Sequence, residues 1–147
     1  MADVADAPAG PVVGDRGELA LLLDGAQLGL RPTFEAIDAI EASTGQGLID
    51  LARMALAGKM SLSVTSQIAA ECIRAWGRET GDKGAAGANA RRIANLILDS
   101  EGGFHAALQT VAAMLSLATT GGYNSSGEMK PSTTMTTTTT EKAPVDG

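Results

Sequence analysis

The sequence has few of the residues that most often carry catalytic or metal chemistry. Its 147 residues include one cysteine and one histidine, and aromatic residues make up 3%. A single cysteine cannot form an intramolecular disulfide, which fits a reducing cytoplasm, and one cysteine with one histidine falls short of a typical four-ligand zinc site. Scarce aromatics also leave little for base stacking. We therefore expect an aliphatic core, with no metal and no cofactor.

Positive charge and long apolar runs are scarce as well. The chain has 11 Lys and Arg against 17 Asp and Glu, so its net charge is -6, which disfavours binding to nucleic acid or anionic lipid. The longest apolar candidate, residues 106–118, is interrupted by Gln109, Thr110 and Ser116. A membrane span needs roughly 18 apolar residues. The first 13 residues contain no Lys or Arg, which argues against a secretory signal. We expect a soluble, cytoplasmic protein.

Composition divides the chain into three parts. Residues 1–16 lack periodicity and are predicted to be a flexible arm, whereas residues 17–120 carry the apolar periodicity of a folded domain. Residues 121–147 are rich in Ser, Thr, Pro and Gly and include a threonine run at 136–140. Nothing apolar there offsets an ordering cost of about 1–2 kcal/mol per residue. The prediction is a disordered tail, although threonine's β-propensity would let it order on a partner.

The folded part is predicted to be mainly α, with an N-terminal β-hairpin. Residues 18–23 are largely apolar, Asp24-Gly25 is a strong tight-turn signal, and residues 27–31 alternate leucine with other side chains. A lone hairpin is marginal in water, so this one must pack against the rest of the domain.

About five short amphipathic helices are predicted after the hairpin. The first follows a Thr33 cap, with Phe34 and Ile37 at helical spacing, and ends at glycines 45–47. The second covers about 48–56. Ser61 or Ser63 caps the third, and the fourth starts near Ala88. The last two helices carry apolar stripes toward the core, and the fifth ends at glycines 121–122. The predicted inward residues are Ile93, Ile97 and Leu98 in the fourth helix, and Phe104, Leu108, Val111 and Leu115 in the fifth.

No catalytic constellation emerges from the candidate nucleophiles and loops. Cys72 falls on the apolar stripe of the third helix, which is typical of a buried structural thiol, and His105 is predicted at the surface or its boundary. The glycine-rich segment 81–87 lacks the Gly-Lys-Ser/Thr ending of a phosphate-binding loop and is predicted to be a flexible connection. We therefore expect no catalytic, cofactor-binding or metal-binding residues and no enzyme activity.

Charged residues are interpreted as solvated surface. Glu35, Asp38 and Glu41 lie along one helix, and such a row needs burial or a shared partner before it acquires a chemical role. Arg91-Arg92 opens the polar side of the fourth helix and leaves open a small helical DNA-binding regulator, which the overall charge disfavours. Asn124-Ser125-Ser126 matches a glycosylation acceptor, which means little without a secretory signal.

The order of these elements resembles a known family. The hairpin at 18–30 is followed by helical segments that read TFEAIDAIE at 33–41, GLIDLA at 47–52 and IAAECIRAWG at 68–77, and the last helix includes AAML at 112–115. This arrangement over roughly residues 17–120 resembles the small tail protein of gene transfer agents and tailed phages, described both as a tail tube protein and as a tail assembly chaperone. The threonine-rich extension is not part of that resemblance.

The resemblance implies a role in building a phage-type tail. A chaperone of this family would bind the long, helical tape measure protein in the host cytoplasm until tube subunits polymerise around it, with exposed apolar helix faces receiving the partner's helices. The alternative is a structural tube or joining component that stays in the virion. The expected partners are the tape measure protein, the tail tube protein, or both, with a homo-oligomer left open. The low strand content favours the chaperone.

Overall fold

The computed structural model describes residues 12–13 and 18–131. Within these residues, three antiparallel strands pair in sequence order, and six helices follow them. The strands are β1 (Val12–Val13), β2 (Leu19–Leu23) and β3 (Ala26–Gly29). The helices are α1 (Phe34–Thr44), α2 (Leu48–Leu56), α3 (Leu62–Thr80), α4 (Lys83–Ala86), α5 (Ala90–Asp99) and α6 (Gly103–Thr119). The predicted fold class, mainly α with an N-terminal hairpin, is confirmed.

The hairpin forms where the sequence predicts it. Asp24 and Gly25 have φ values of 53° and 75°, the positive values that a two-residue turn matched to the strand twist requires. Leu23 consequently pairs with Ala26. The sheet has one strand more than predicted, because Val12–Val13, within the arm predicted to be flexible, pairs with β2. The rest of that arm lies outside the described residues.

The helix ends follow from capping side chains. Thr33 caps α1 by accepting from the Ala36 N–H at 3.0 Å, and Ser61, rather than Ser63, caps α3. The predicted start near Ala88 is wrong by two residues, since Asn89 caps α5 and accepts from the Arg92 N–H at 2.9 Å. The loop predicted at 81–87 instead contains α4, a single helical turn capped by Asp82.

The core is organised around α3. Helices α1, α4 and α5 pack against it, as does β3, while α2 packs against α6 and α6 also contacts β2. Ile68, Cys72 and Ile73 of α3 are completely buried, as the four-residue spacing of the first two predicts. No helix in the described part of the chain is long and apolar enough to cross a membrane.

The chain stays ordered beyond the predicted end of the domain. The composition predicts disorder from residue 121 onward, but residues 121–131 fold back against the linker between β3 and α1, with Tyr123 bridging Met129. Ser125 O accepts the Phe34 N–H at 2.9 Å. Gly127, at φ 74°, packs so closely on the linker that a Cβ there would lie 2.8 Å from Arg31 Cγ. The threonine run lies outside the described residues.

Arg31 holds this C-terminal loop in place. Its side chain is buried, and Nε donates to Ser126 O at 3.1 Å. The two terminal nitrogens each lie 3.4 Å from a carboxylate oxygen, one of Glu18 and one of Glu128. The Arg31 N–H donates to Cys72 O at 3.1 Å. The Arg31 side chain therefore links Glu18 to the last loop, and its backbone N–H connects the same residue to α3.

Candidate partner-binding surface

Large apolar side chains that a fold leaves in water are candidates for partner contact. Five such residues are exposed among the described ones: Leu22, Phe34, Ile49, Leu56 and Leu98. Their positions on the helices decide whether they can act together.

Two of the five contradict the sequence prediction. Leu98 is predicted to face inward, yet it is 58% exposed, because Ile93 and Ile97 set the buried side of α5 and the next residue is turned by about 100°. Phe34, placed with Ile37 on the apolar stripe of α1, is 63% exposed, since Ala36 and Ile40 face the core instead.

Helix α2 carries the clearest exposed apolar pair. Ile49 is 59% exposed and Leu56 64% exposed. They are seven residues apart, so they lie on the same flank about 10.5 Å from each other along the helix axis. Arg53, also exposed, is four residues after Ile49. We call Ile49, Arg53 and Leu56 the α2 outer face.

The opposite side of α2 fixes this face in position. Leu51, Ala52 and Ala55 are buried, and the helix packs against α6. At its start, Glu41 Oε2 accepts the Leu48 N–H at 2.9 Å, which supplies the cap that Gly47 cannot. The α2 outer face is therefore a firmly held apolar strip with a cation at its centre.

Cys72 and His105 lie in different environments, one buried and the other exposed. Cys72 is completely buried, as predicted, and its burial, together with the nearby Glu71 carboxylate, raises the pKa of the thiol to about 12. Such a thiol remains protonated and unreactive at neutral pH. His105 is exposed, also as predicted. In the part of the chain that the structure describes, no group of His, Cys, Asp and Glu could hold a metal ion.

The remaining motifs lie on the surface. Glu35, Asp38 and Glu41 are exposed along α1, and Arg91 and Arg92 are exposed at the start of α5, as their spacing predicts. The Asn124–Ser126 motif belongs to the loop that docks on Arg31: Asn124 Oδ1 accepts the N–H groups of Ser126 and Glu128. Its role there is to shape a turn.

Sequence reasoning missed the α2 outer face. The predicted stripe of Leu48, Leu51, Ala52 and Ala55 is correct for the buried side, although Leu48 is only partly covered. The sequence does contain a signal for the exposed side. Ile49 and Leu56 are apolar residues of α2 that lie outside the buried stripe and are seven residues apart.

The described residues thus form a mainly helical domain whose candidate site is a surface for another protein. A family model described as phage tail tube protein, GTA-gp10, matches residues 16–121, and the chain belongs to that family. The predicted resemblance is confirmed, and the protein is a phage-type tail protein. No curated protein and no solved structure matches the chain.

Proposed function

We propose that this protein is a tail assembly chaperone, not an enzyme, and that it binds the helical tape measure protein during tail building. The α2 outer face is the observation that carries the proposal. Its two large aliphatic side chains match the seven-residue apolar repeat of an amphipathic partner helix, and α6 holds it rigidly from behind.

The charge of the chain supports a role in keeping a partner in solution. A net charge of -6 gives the complex a repulsive surface, so that complexes of the chaperone with an aggregation-prone helical protein stay apart. The host cytoplasm is the corresponding location, since tails are assembled there before particles are released.

Co-expression with the tape measure protein from the same tail gene cluster tests the proposal. The wild-type chain should co-purify with its partner and increase the soluble fraction of that partner. A variant with Ile49→Ser and Leu56→Ser should lose both effects while remaining folded.

The matched control is Leu22→Ser, which removes an exposed leucine, 55% exposed, from the sheet instead of from α2. It should bind like wild type. Equal binding by all three proteins, or the absence of any complex with the wild-type chain, would contradict the proposal.

A structural tube or joining component is the second candidate, and the family's description as a tail tube protein favours it. Mass spectrometry of purified particles separates the two functions. A chaperone should be absent from finished particles, whereas a structural component should be present at a fixed copy number.

A further inference from the structure

Positive and negative charges occupy different parts of this protein. Residues 74–92, which span the end of α3, all of α4 and the start of α5, contain five Lys and Arg against two Asp and Glu. Residues 18–73 contain three against seven, and residues 93–131 one against three. One basic region therefore lies in an otherwise acidic chain.

Two rows of exposed side chains, one on α1 and one on α5, show this difference in charge. On α1, Phe34, Asp38 and Glu41 follow one another at steps of four and three residues, and all three are exposed. They share one side of the helix and span about 10.5 Å. We call them the acidic row. The row begins with the aromatic ring of Phe34 and ends with the carboxylate of Glu41.

Helix α5 carries a row of the same spacing and opposite charge. Arg91, Asn95 and Leu98 again follow at steps of four and three, and all are exposed. We call them the basic row. Here the cation is at the N-terminal end and the apolar side chain at the C-terminal end.

The side chains of both rows are exposed to solvent. Glu41 Oε2 accepts the Leu48 N–H at 2.9 Å, and its carboxylate keeps further acceptor sites for a cation. Helices α1 and α5 each pack on α3. Within residues 18–131, the ion pairs involve Arg31 and Arg74, so none includes Asp38, Glu41 or Arg91.

We propose that the acidic row of one copy docks antiparallel on the basic row of a second copy. Antiparallel alignment places Phe34 opposite Leu98, Asp38 opposite Asn95 and Glu41 opposite Arg91. The three pairs are an apolar contact, a hydrogen bond and an ion pair. Both rows span seven residues, so the two outer pairs align. The middle pair is offset by about 1.5 Å along the helix axes, which the Asp38 and Asn95 side chains can bridge.

A second copy is the occupant that the charges favour, because each chain supplies both complementary rows. The contact is heterologous, so each bound copy still presents one free row and association can continue along a line or close into a ring. At 0.1 M salt the Debye length is about 10 Å. Salt therefore screens the long-range repulsion between two acidic copies more than it screens the attraction between Glu41 and Arg91 in direct contact.

This proposal does not rest on the α2 outer face or on the chaperone function. It concerns the purified chain alone, so a failure here leaves the tape measure experiment unaffected, and the reverse also holds.

Sedimentation velocity over a concentration series at 0.1 M salt tests the contact. Wild type should self-associate reversibly, and association should weaken at 1 M salt because the ion pair is screened. Glu41→Lys and Arg91→Glu should each lower the association constant about tenfold or more, since each places like charges opposite one another.

Mixing the two variants gives the decisive result. The lysine introduced by Glu41→Lys in one copy would then face the glutamate introduced by Arg91→Glu in the other. The unaltered Glu41 and Arg91 would face each other at the next contact, so association should return.

Glu41→Gln addresses folding separately: it removes the charge but keeps a side-chain oxygen for the Leu48 N–H, and it should also weaken association.

Asp50→Lys on α2 and Arg78→Glu near the end of α3 are the matched controls, because they make the same charge changes on exposed residues outside both rows and outside the α2 outer face. They should associate like wild type. A monomeric wild type at 0.1 M salt, controls that weaken association as much as the row variants, or a mixture that fails to regain association while both variants are folded would each overturn the proposal.

Discussion

Helices α3 and α2 place similar apolar residues in opposite environments. In α3, nine of the 19 residues are buried, including both isoleucines, and elements pack against the helix from several sides. In α2, three of the nine residues are buried, and an isoleucine and a leucine remain in water. Apolar content alone therefore does not show whether a helix lies in the core or at the surface. The number of helices and strands packed around the helix distinguishes the two cases.

The largest effect is expected from truncating the interior of α3. Ile68→Ala removes a completely buried side chain from a close-packed site and should lower the free energy of unfolding by about 2–5 kcal/mol. Urea denaturation measures this loss. A loss below about 1 kcal/mol would show that α3 is not the packing centre that its burial indicates.

A smaller effect is expected where the interior is polar. Arg31→Ala leaves Glu18 and the Ser126 carbonyl without their cation, and should lower the free energy of unfolding by about 2 kcal/mol. The loss stays below that of a fully buried pair because the Glu128 side chain is 57% exposed and regains water.

Hydrogen exchange should locate the Arg31 effect. The Phe34 amide, which donates to Ser125 O, should lose protection in Arg31→Ala before the amides of α3 do. Lys130→Ala, an exposed change in the same loop, is the control and should leave protection unchanged. Uniform loss of protection across the domain would contradict a local role for Arg31.

Much of the fold could be predicted because its signals are local. Asp24-Gly25 specifies a tight turn within two residues, and Thr33 caps α1 within three. The docking of the C-terminal loop could not be predicted in this way. Arg31 and Ser126 are 95 residues apart, and the loop has no apolar periodicity that distinguishes it from a disordered tail.

The proposed binding surface is harder to predict than the core for a related reason. Periodicity identifies which residues share a side of a helix, but not which side meets a neighbour. Leu98 beside Ile97 shows this, since either leucine or isoleucine could have faced the core. The position of α3 and α6 relative to each short helix decides the outcome, and that is a property of the whole fold.

The smallest effect on stability, and the sharpest contrast, is expected on the α2 outer face. Ile49→Ala makes the same chemical change as Ile68→Ala, but the side chain is 59% exposed, so the free energy of unfolding should change by less than about 0.5 kcal/mol. Leu56→Ala should change the free energy of unfolding as little.

The same two variants should nevertheless weaken binding to the tape measure protein, measured by titration against a purified tape measure segment. A substitution that costs stability without affecting binding identifies a core position, and one with the reverse effect identifies a binding position. If Ile49→Ala destabilised the chain as much as Ile68→Ala, the outer face of α2 would be covered in solution, and the surface proposed for the partner would already be occupied.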